Sequence, residues 1–178
     1  LIEEARKITG LTSNTQVVTG SFDHPSAARG TGVFNEGDML ISAGTSWVVF
    51  TPIREREIGL SENMLIDPFL SPNGCWGAIF ALTAVGEKLE NLLSKIIPKP
   101  NKDVLYEEFN QLAMEAEPGA GETFINLLNQ TEIEYEKVAL SSSPQNVCRA
   151  LMEGIVFQTS QRVKRVAELT GTNTGKLI

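Results

Sequence analysis

A carboxylate and a glycine turn, both of residue types that do chemistry, lie a short stretch apart in this chain. Asp23 ends the small-residue sequence Gly20-Ser21-Phe22-Asp23, which follows a β-rich run at 16–20. Further on, a strand pattern over 38–42 breaks at Gly44-Thr45-Ser46 and resumes at Trp47. A carboxylate at a strand end can take the proton of a hydroxyl. A Gly-Thr-Ser turn between strands can offer backbone N–H groups and hydroxyls to a phosphate, with the glycine allowing close approach. These are the two needs of phosphoryl transfer, a base for the attacking hydroxyl and donors that hold the phosphates in line. Each also has a plainer use. An Asp before His24-Pro25 is a good helix N-cap, and a Gly-Thr-Ser break is an ordinary tight turn between paired strands. On spacing alone the plainer use is favoured in both cases.

Periodicity places the elements around these residues. Residues 2–8 form a short, charged amphipathic helix closed by Gly10. The runs 38–42 and 47–53, rich in Ile, Val, Trp and Phe, form paired strands, and the alternating charges of 54–57 cap that hairpin in solvent. A third strand covers 64–70 and ends at the turn Ser71-Pro72-Asn73-Gly74. Trp76, Ile79, Leu82, Val85, Leu89, Leu93 and Ile96 recur at three- and four-residue spacing. That spacing predicts one long helix over 75–97, stopped by Pro98 and Pro100. A second helix, 103–116, buries Leu105, Phe109, Leu112 and Ala113. Pro118-Gly119-Ala120-Gly121 breaks the chain before a strand at 123–128, and 131–140 is an acidic run. The last helix has the clearest start, Ser143 as N-cap and Pro144 in the first turn. Its stripe is Cys148, Met152, Ile155, Val163, Val166 and Leu169, and Gly171 stops it. The pattern supports an α/β or α+β fold with one mixed sheet flanked by helices.

These residues resemble the FGGY family of carbohydrate kinases, which phosphorylate sugars and polyols. In that family a Gly-x-x-Asp segment closes the first domain and a Gly-Thr-Ser or Gly-Thr-Gly turn opens the second. Here the two are joined by a Gly-rich connection (Gly30, Gly32) and an Asn-Glu-Gly-Asp turn at 35–38. Later, Arg149-Ala150-Leu151-Met152-Glu153-Gly154-Ile155 is similar to the family's Arg-Ala-x-x-Glu-Gly helix start. The resemblance implies an incomplete ribonuclease-H-like (actin-like ATPase) α/β domain. Residues 1–33 would end the first, sugar-binding domain and 34–178 would form most of the second. It implies Asp23 as general base and sugar contact, with Gly44, Thr45 and Ser46 on the ATP phosphates. ATP would be the phosphoryl donor, Mg2+ would arrive with it, and a small-molecule sugar or polyol would be the acceptor, in a chain that could form a homodimer. The family's first phosphate loop and its adenosine-binding Gly-Gly-Gly segment are not among these residues. The expectation is therefore a piece of a larger kinase, inactive alone. Two features depart from the family. Trp47 stands where a small residue is common, and the Gly-Glu-Arg-x-Pro run before the last helix is absent, so substrate identity is not carried over.

Composition sets outer bounds. The chain has 178 residues, 42% of them apolar, enough for one sizeable core. A net charge of −7 and a pI of about 4.8 argue against nucleic acid or an anionic membrane surface as partner. The two cysteines, Cys75 and Cys148, are too few for a disulfide framework. Both read as inert thiols on the apolar sides of helices. No apolar run approaches the roughly 20 residues of a membrane span. The N-terminal LIEEARKITG lacks the order of a secretory signal, so cytoplasm is the expected compartment. His24 reads as an exposed turn histidine, Arg149 and Glu153 as a surface i, i+4 pair, and Trp76 as a core anchor of the long helix. Glu115, Glu117 and Glu122 read as a solvated loop, not a metal site. Two other functions compete: a non-catalytic actin-like domain that binds nucleotide or a partner, and an interaction module built on the helices over 75–116.

Overall fold

The runs of Val, Ile and Phe between 38 and 82 assemble into a four-stranded antiparallel sheet in the order β1-β2-β4-β3. The strands of this computed structural model are β1 (Leu40–Ala43), β2 (Trp47–Ile53), β3 (Leu65–Pro68) and β4 (Trp76–Leu82). The helices are α1 (Glu3–Thr9), α2 (Asp23–Thr31), α3 (Arg56–Ser61), α4 (Val85–Ile96), α5 (Lys102–Glu115), α6 (Glu132–Leu140) and α7 (Pro144–Thr170). The structure describes residues 1–44, 46–70, 75–97, 102–172 and 175–178. The expected turn at 71–74 and the prolines at 98 and 100 lie outside them. Residues 175–178 add to the β1 edge in parallel, with a bridge between Met39 and Leu177. Ile41 N–H donates to the Ile178 carbonyl at 2.7 Å and Ile178 N–H to that of Met39 at 3.0 Å. This parallel bridge lies outside the four strands, whose pairings are all antiparallel, so the expected mixed sheet is reduced to this edge contact.

Both faces of the sheet are covered, and the side chains of β2 alternate between them. Val48 and Phe50 pack with Leu40, Phe69 and Ile79 against Ala28 and Val33, on and just after α2. Val49 and Ile53 point the other way, with Met39, Met64 and Ala78 against Val166 of α7. A third cluster joins α4 to α7 around Leu92, Leu93, Phe109, Val147 and Leu151. Residues 1–22 bury no side chain. Among the described residues no helix is long and apolar enough to cross a membrane.

Three expectations need correction, and one run given no structure is a helix. Residues 75–82 are not the start of a long helix: Trp76, Ile79 and Leu82 belong to β4, and Cys75 precedes it. A strand buried on both faces is apolar throughout, so it has no period-two signature to tell it from a helix. The 16–20 and 123–128 runs carry no strand, because neither has a neighbouring strand to pair with. The charged 54–57 segment enters α3 instead of only capping the hairpin. The acidic 131–140 run is α6, and Thr131 with Glu134 forms a complete capping box at its start.

The helix ends follow the sequence closely. Ser143 Oγ accepts the Asn146 N–H at 3.3 Å, and Gly171 closes α7 in the left-handed conformation. Gly10 does the same for α1.

Asp38 ties three segments together where β1 begins. One oxygen accepts the Asn35 N–H at 3.0 Å, the other the Lys176 N–H at 3.1 Å. Burial works to raise its pKa, but hydrogen bonds from Asn35, Lys176 and Phe34 outweigh it and hold the carboxyl below its ordinary 3.8. A lowered pKa in the folded state stabilises above the unfolded value, and that stability is lost as pH falls through the folded one. Asp38→Ala is expected to cost about 2 kcal/mol at pH 7. Urea titrations should show the gap from wild type narrowing below about pH 4.

Candidate active site

Asp23 is the first residue of α2, after Phe22 (φ −56, ψ 154) at the cap position. Its carboxylate does not cap the helix through the later N–H groups. Oδ1 instead accepts the N–H of its neighbour His24 at 2.8 Å, and among the described residues Oδ2 has no partner. The side chain is 82% exposed. A negative charge at this end is favoured by the helix dipole whatever else it does. His24 is not an exposed turn residue: its imidazole is 27% exposed and lies 3.9 Å from Asp23 Oδ1. Pro25, next in the helix, is buried, and draws the first turn of α2 toward the core.

Gly44 and Ser46 flank Thr45, which lies outside the described residues, in the β1–β2 connection. Gly44 is not held by a left-handed backbone. A Cβ built there would meet only the Ser46 carbonyl, at 3.8 Å. The space beside it is open, and it opens on two hollows. The inner one, about 230 Å3, is lined by Trp47, Gly86, Leu89, Tyr106 and Met152 as well as Gly44. The outer one, about 350 Å3, is lined by Gly44, Gly86, Glu87, Glu90 and Tyr106. Ser46 Oγ accepts the Ala84 N–H at 3.4 Å, which joins the turn to the start of α4. Ala84 is left-handed, with φ 57, a strained conformation for a residue with a Cβ. Neither hollow beside Gly44 includes Asp23.

The sequence reading missed Gly86, Tyr106 and Ala84. For Ala84 the signal was the short Thr83-Ala84 junction between an apolar run and an amphipathic one, hidden once 75–97 was read as a single helix.

Arg149-Ala150-x-x-Glu153-Gly154 does structural work. Arg149 Nε donates to Glu153 Oε1 at 2.6 Å, the expected i, i+4 pair. The same carboxylate accepts the Gly119 N–H at 3.2 Å, so it also clamps the 118–122 loop to α7. Its pKa is lowered, first by the Arg149 hydrogen bond. Gly154 lets the Ile125 carbonyl pass against the helix. Beside this motif a larger hollow, about 690 Å3, is walled by Phe124, Met152, Val156 and Phe157. Its charged members, Arg149 and Glu153, are already spent on each other.

The cysteines supply no nucleophile. Burial pushes the Cys148 thiol up to about 12 and raises that of Cys75 as well. Trp76 is half-buried at the head of β4, with the Arg56 guanidinium 5.7 Å from its ring centre.

No protein-family profile matches the sequence, and no curated protein matches it in sequence. Solved structures do match the fold. The chain superposes on the xylulose kinase of Rhodospirillum rubrum with a TM-score of 0.75 at 20% identity, over 99% of this chain and 36% of that one. For the ligand-bound xylulose kinase of Lactobacillus acidophilus the TM-score is 0.72 at 16% identity, over 98% and 36% of the two chains. For the Plasmodium falciparum glycerol kinase with ADP it is 0.61 at 18% identity, over 85% and 31%. The chain thus spans about a third of the length of the structures it matches. At these identities the likeness is one of architecture, and it bears out the resemblance drawn from the sequence. The chain carries the fold of one segment of the xylulose and glycerol kinases.

Proposed function

We propose that these residues form part of an ATP-dependent carbohydrate kinase, with Asp23 as general base and the Gly44-Thr45-Ser46 turn on the nucleotide phosphates. The observation that carries this reading is the open flank of Gly44, facing a hollow within a kinase fold. Without a side chain at Gly44, and with the Ser46 carbonyl 3.8 Å from its Cβ direction, a phosphate oxygen has room to approach this backbone where a larger residue would block it. Asp23 suits the other half of the reaction. His24 N–H occupies Oδ1, which leaves Oδ2 to accept the proton of a sugar or polyol hydroxyl as its oxygen bonds to the γ-phosphorus. The bond from that phosphorus to the β-phosphate oxygen breaks, and ADP leaves. Magnesium, if carried in with ATP, would supply charge to the transferring group.

The strand order, with 175–178 parallel to β1, favours the ribonuclease-H-like, actin-like class. The proposed division is residues 1–33, ending a sugar-binding domain, and 34–178, most of the nucleotide domain; 1–22 bury no side chain, while Ala28 and Val33 join the two by packing on the sheet. The proposed compartment is the cytoplasm, where ATP is supplied. The 178 residues alone are expected to turn over no sugar.

A coupled ADP-release assay on the gene product that carries these residues, run against a panel of pentoses, hexoses and polyols, tests the reading. At least one acceptor should give a kcat on the order of 1–100 per second. Nucleotide binding without turnover on any acceptor would instead assign a non-catalytic domain.

A further inference from the structure

We propose that Arg29 is the positioning residue for Asp23, a tether that fixes where the carboxylate stands relative to the sheet. A helix of this length is not stable by itself, so its placement depends on a few contacts. α2 buries only Pro25 and Ala28. Its C-terminal end is held by Lys176, whose Nζ donates to the Thr31 carbonyl at 3.1 Å. Among the described residues, the polar link at the other end, where Asp23 sits, is Arg29. Its Nη1 donates to Ser21 Oγ at 2.7 Å, just before Asp23. Its Nη2 donates to the Phe69 carbonyl beyond β3. The guanidinium also lies 4.9 Å from the Phe69 ring centre, and that ring meets Phe50 of β2 edge-on at 4.9 Å. One planar cation thus joins the approach to Asp23 to Phe69 through the two arms of its fork, and through the Phe69 ring to β2, an arrangement an ammonium cannot reproduce.

The consequence rests on the reading of Asp23 as base. General-base transfer needs the carboxylate in hydrogen-bond reach of the hydroxyl, and a shift of about 1 Å costs on the order of a hundredfold. The nucleotide turn is built on other residues. Loss of the tether should therefore lower kcat and spare the KM for ATP.

The test has two arms. In the 178-residue chain, amide hydrogen exchange is followed at His24 and Ser26 in Arg29→Met and in Ser21→Ala, the second removing one arm of the fork at an exposed site. Exchange about tenfold faster in both variants, with α7 amides unchanged, is expected; wild-type rates in both would overturn the tether. In the gene product, Arg29→Met should lower kcat about thirtyfold with the KM for ATP within about twofold, and Arg29→Lys should recover part of the loss. An unchanged kcat, or a rise in KM for ATP as large as the fall in kcat, would overturn the positioning role. If the wild-type protein phosphorylates no acceptor, the kinase reading fails, and the exchange arm still decides the tether.

Discussion

If Asp23 is the base of the proposed kinase, Asp23→Asn is expected to lower its kcat by about a thousandfold while its melting temperature and KM for ATP stay close to wild type. Amide for carboxylate removes the proton acceptor and keeps the shape, and general-base catalysis accounts for about 10²–10⁴ in rate. The side chain is 82% exposed and, among the described residues, accepts a hydrogen bond only from its neighbour's N–H, so stability should move by less than about 0.5 kcal/mol. Steady-state kinetics beside a thermal melt separate the two effects. A variant that melts as wild type and still turns over at the wild-type rate would remove Asp23 from the chemistry.

The largest stability effect should come from Gly154→Ala. Alanine in place of a helical glycine usually gains up to about 1 kcal/mol. Here the new Cβ would lie 2.2 Å from the Ile125 carbonyl oxygen and 3.5 Å from its carbon. The obstacle is backbone. The segment that carries it is fixed by Asn126, whose Oδ1 accepts the Leu128 and Asn129 N–H groups at 3.1 and 3.0 Å. Either the carbonyl moves and breaks that turn, or α7 shifts off the core, and a net loss of about 3 kcal/mol is expected. Gly30→Ala is the control. Gly30 is also helical and has nothing within 4 Å of its Cβ direction, so the same substitution should stabilise by a few tenths to about 1 kcal/mol. Urea denaturation of both variants should show opposite signs; equal signs would mean that propensity outweighs the contact at Ile125.

Gly154 also shows how far the sequence could be read. The Arg-Ala-x-x-Glu-Gly run was recognisable as a motif, but the need for its last residue comes from a carbonyl that sequence does not place. Local signals carried well. Ser143-Pro144 and Gly171 bounded α7, Gly10 closed α1, and the apolar runs around Gly44 formed a hairpin, because caps and turns depend on neighbouring residues. Where burial on two faces replaced alternation, as in β4, local pattern failed, and Trp76, Ile79 and Leu82 fell into a false helical stripe. The 16–20 run was strand-like in composition, yet Val17 and Val18 are exposed and unpaired by any strand. Thr131 to Glu134 was a capping box that could have been read, but it was hidden by the acidity of the run it starts. At the site, Asp23 and Gly44 were legible as motif residues. Tyr106 and Gly86 come to Gly44 only through packing of α4 and α5, which no spacing records.

The most direct measurement is a crystal structure of the gene product with Mg2+, a non-hydrolysable ATP analogue and an acceptor sugar or polyol. The account predicts the phosphates on the Gly44 amide and Oδ2 of Asp23 about 3 Å from an acceptor hydroxyl facing the γ-phosphate. A nucleotide bound away from Gly44, or Asp23 on the opposite side of the molecule from the phosphates, would contradict it.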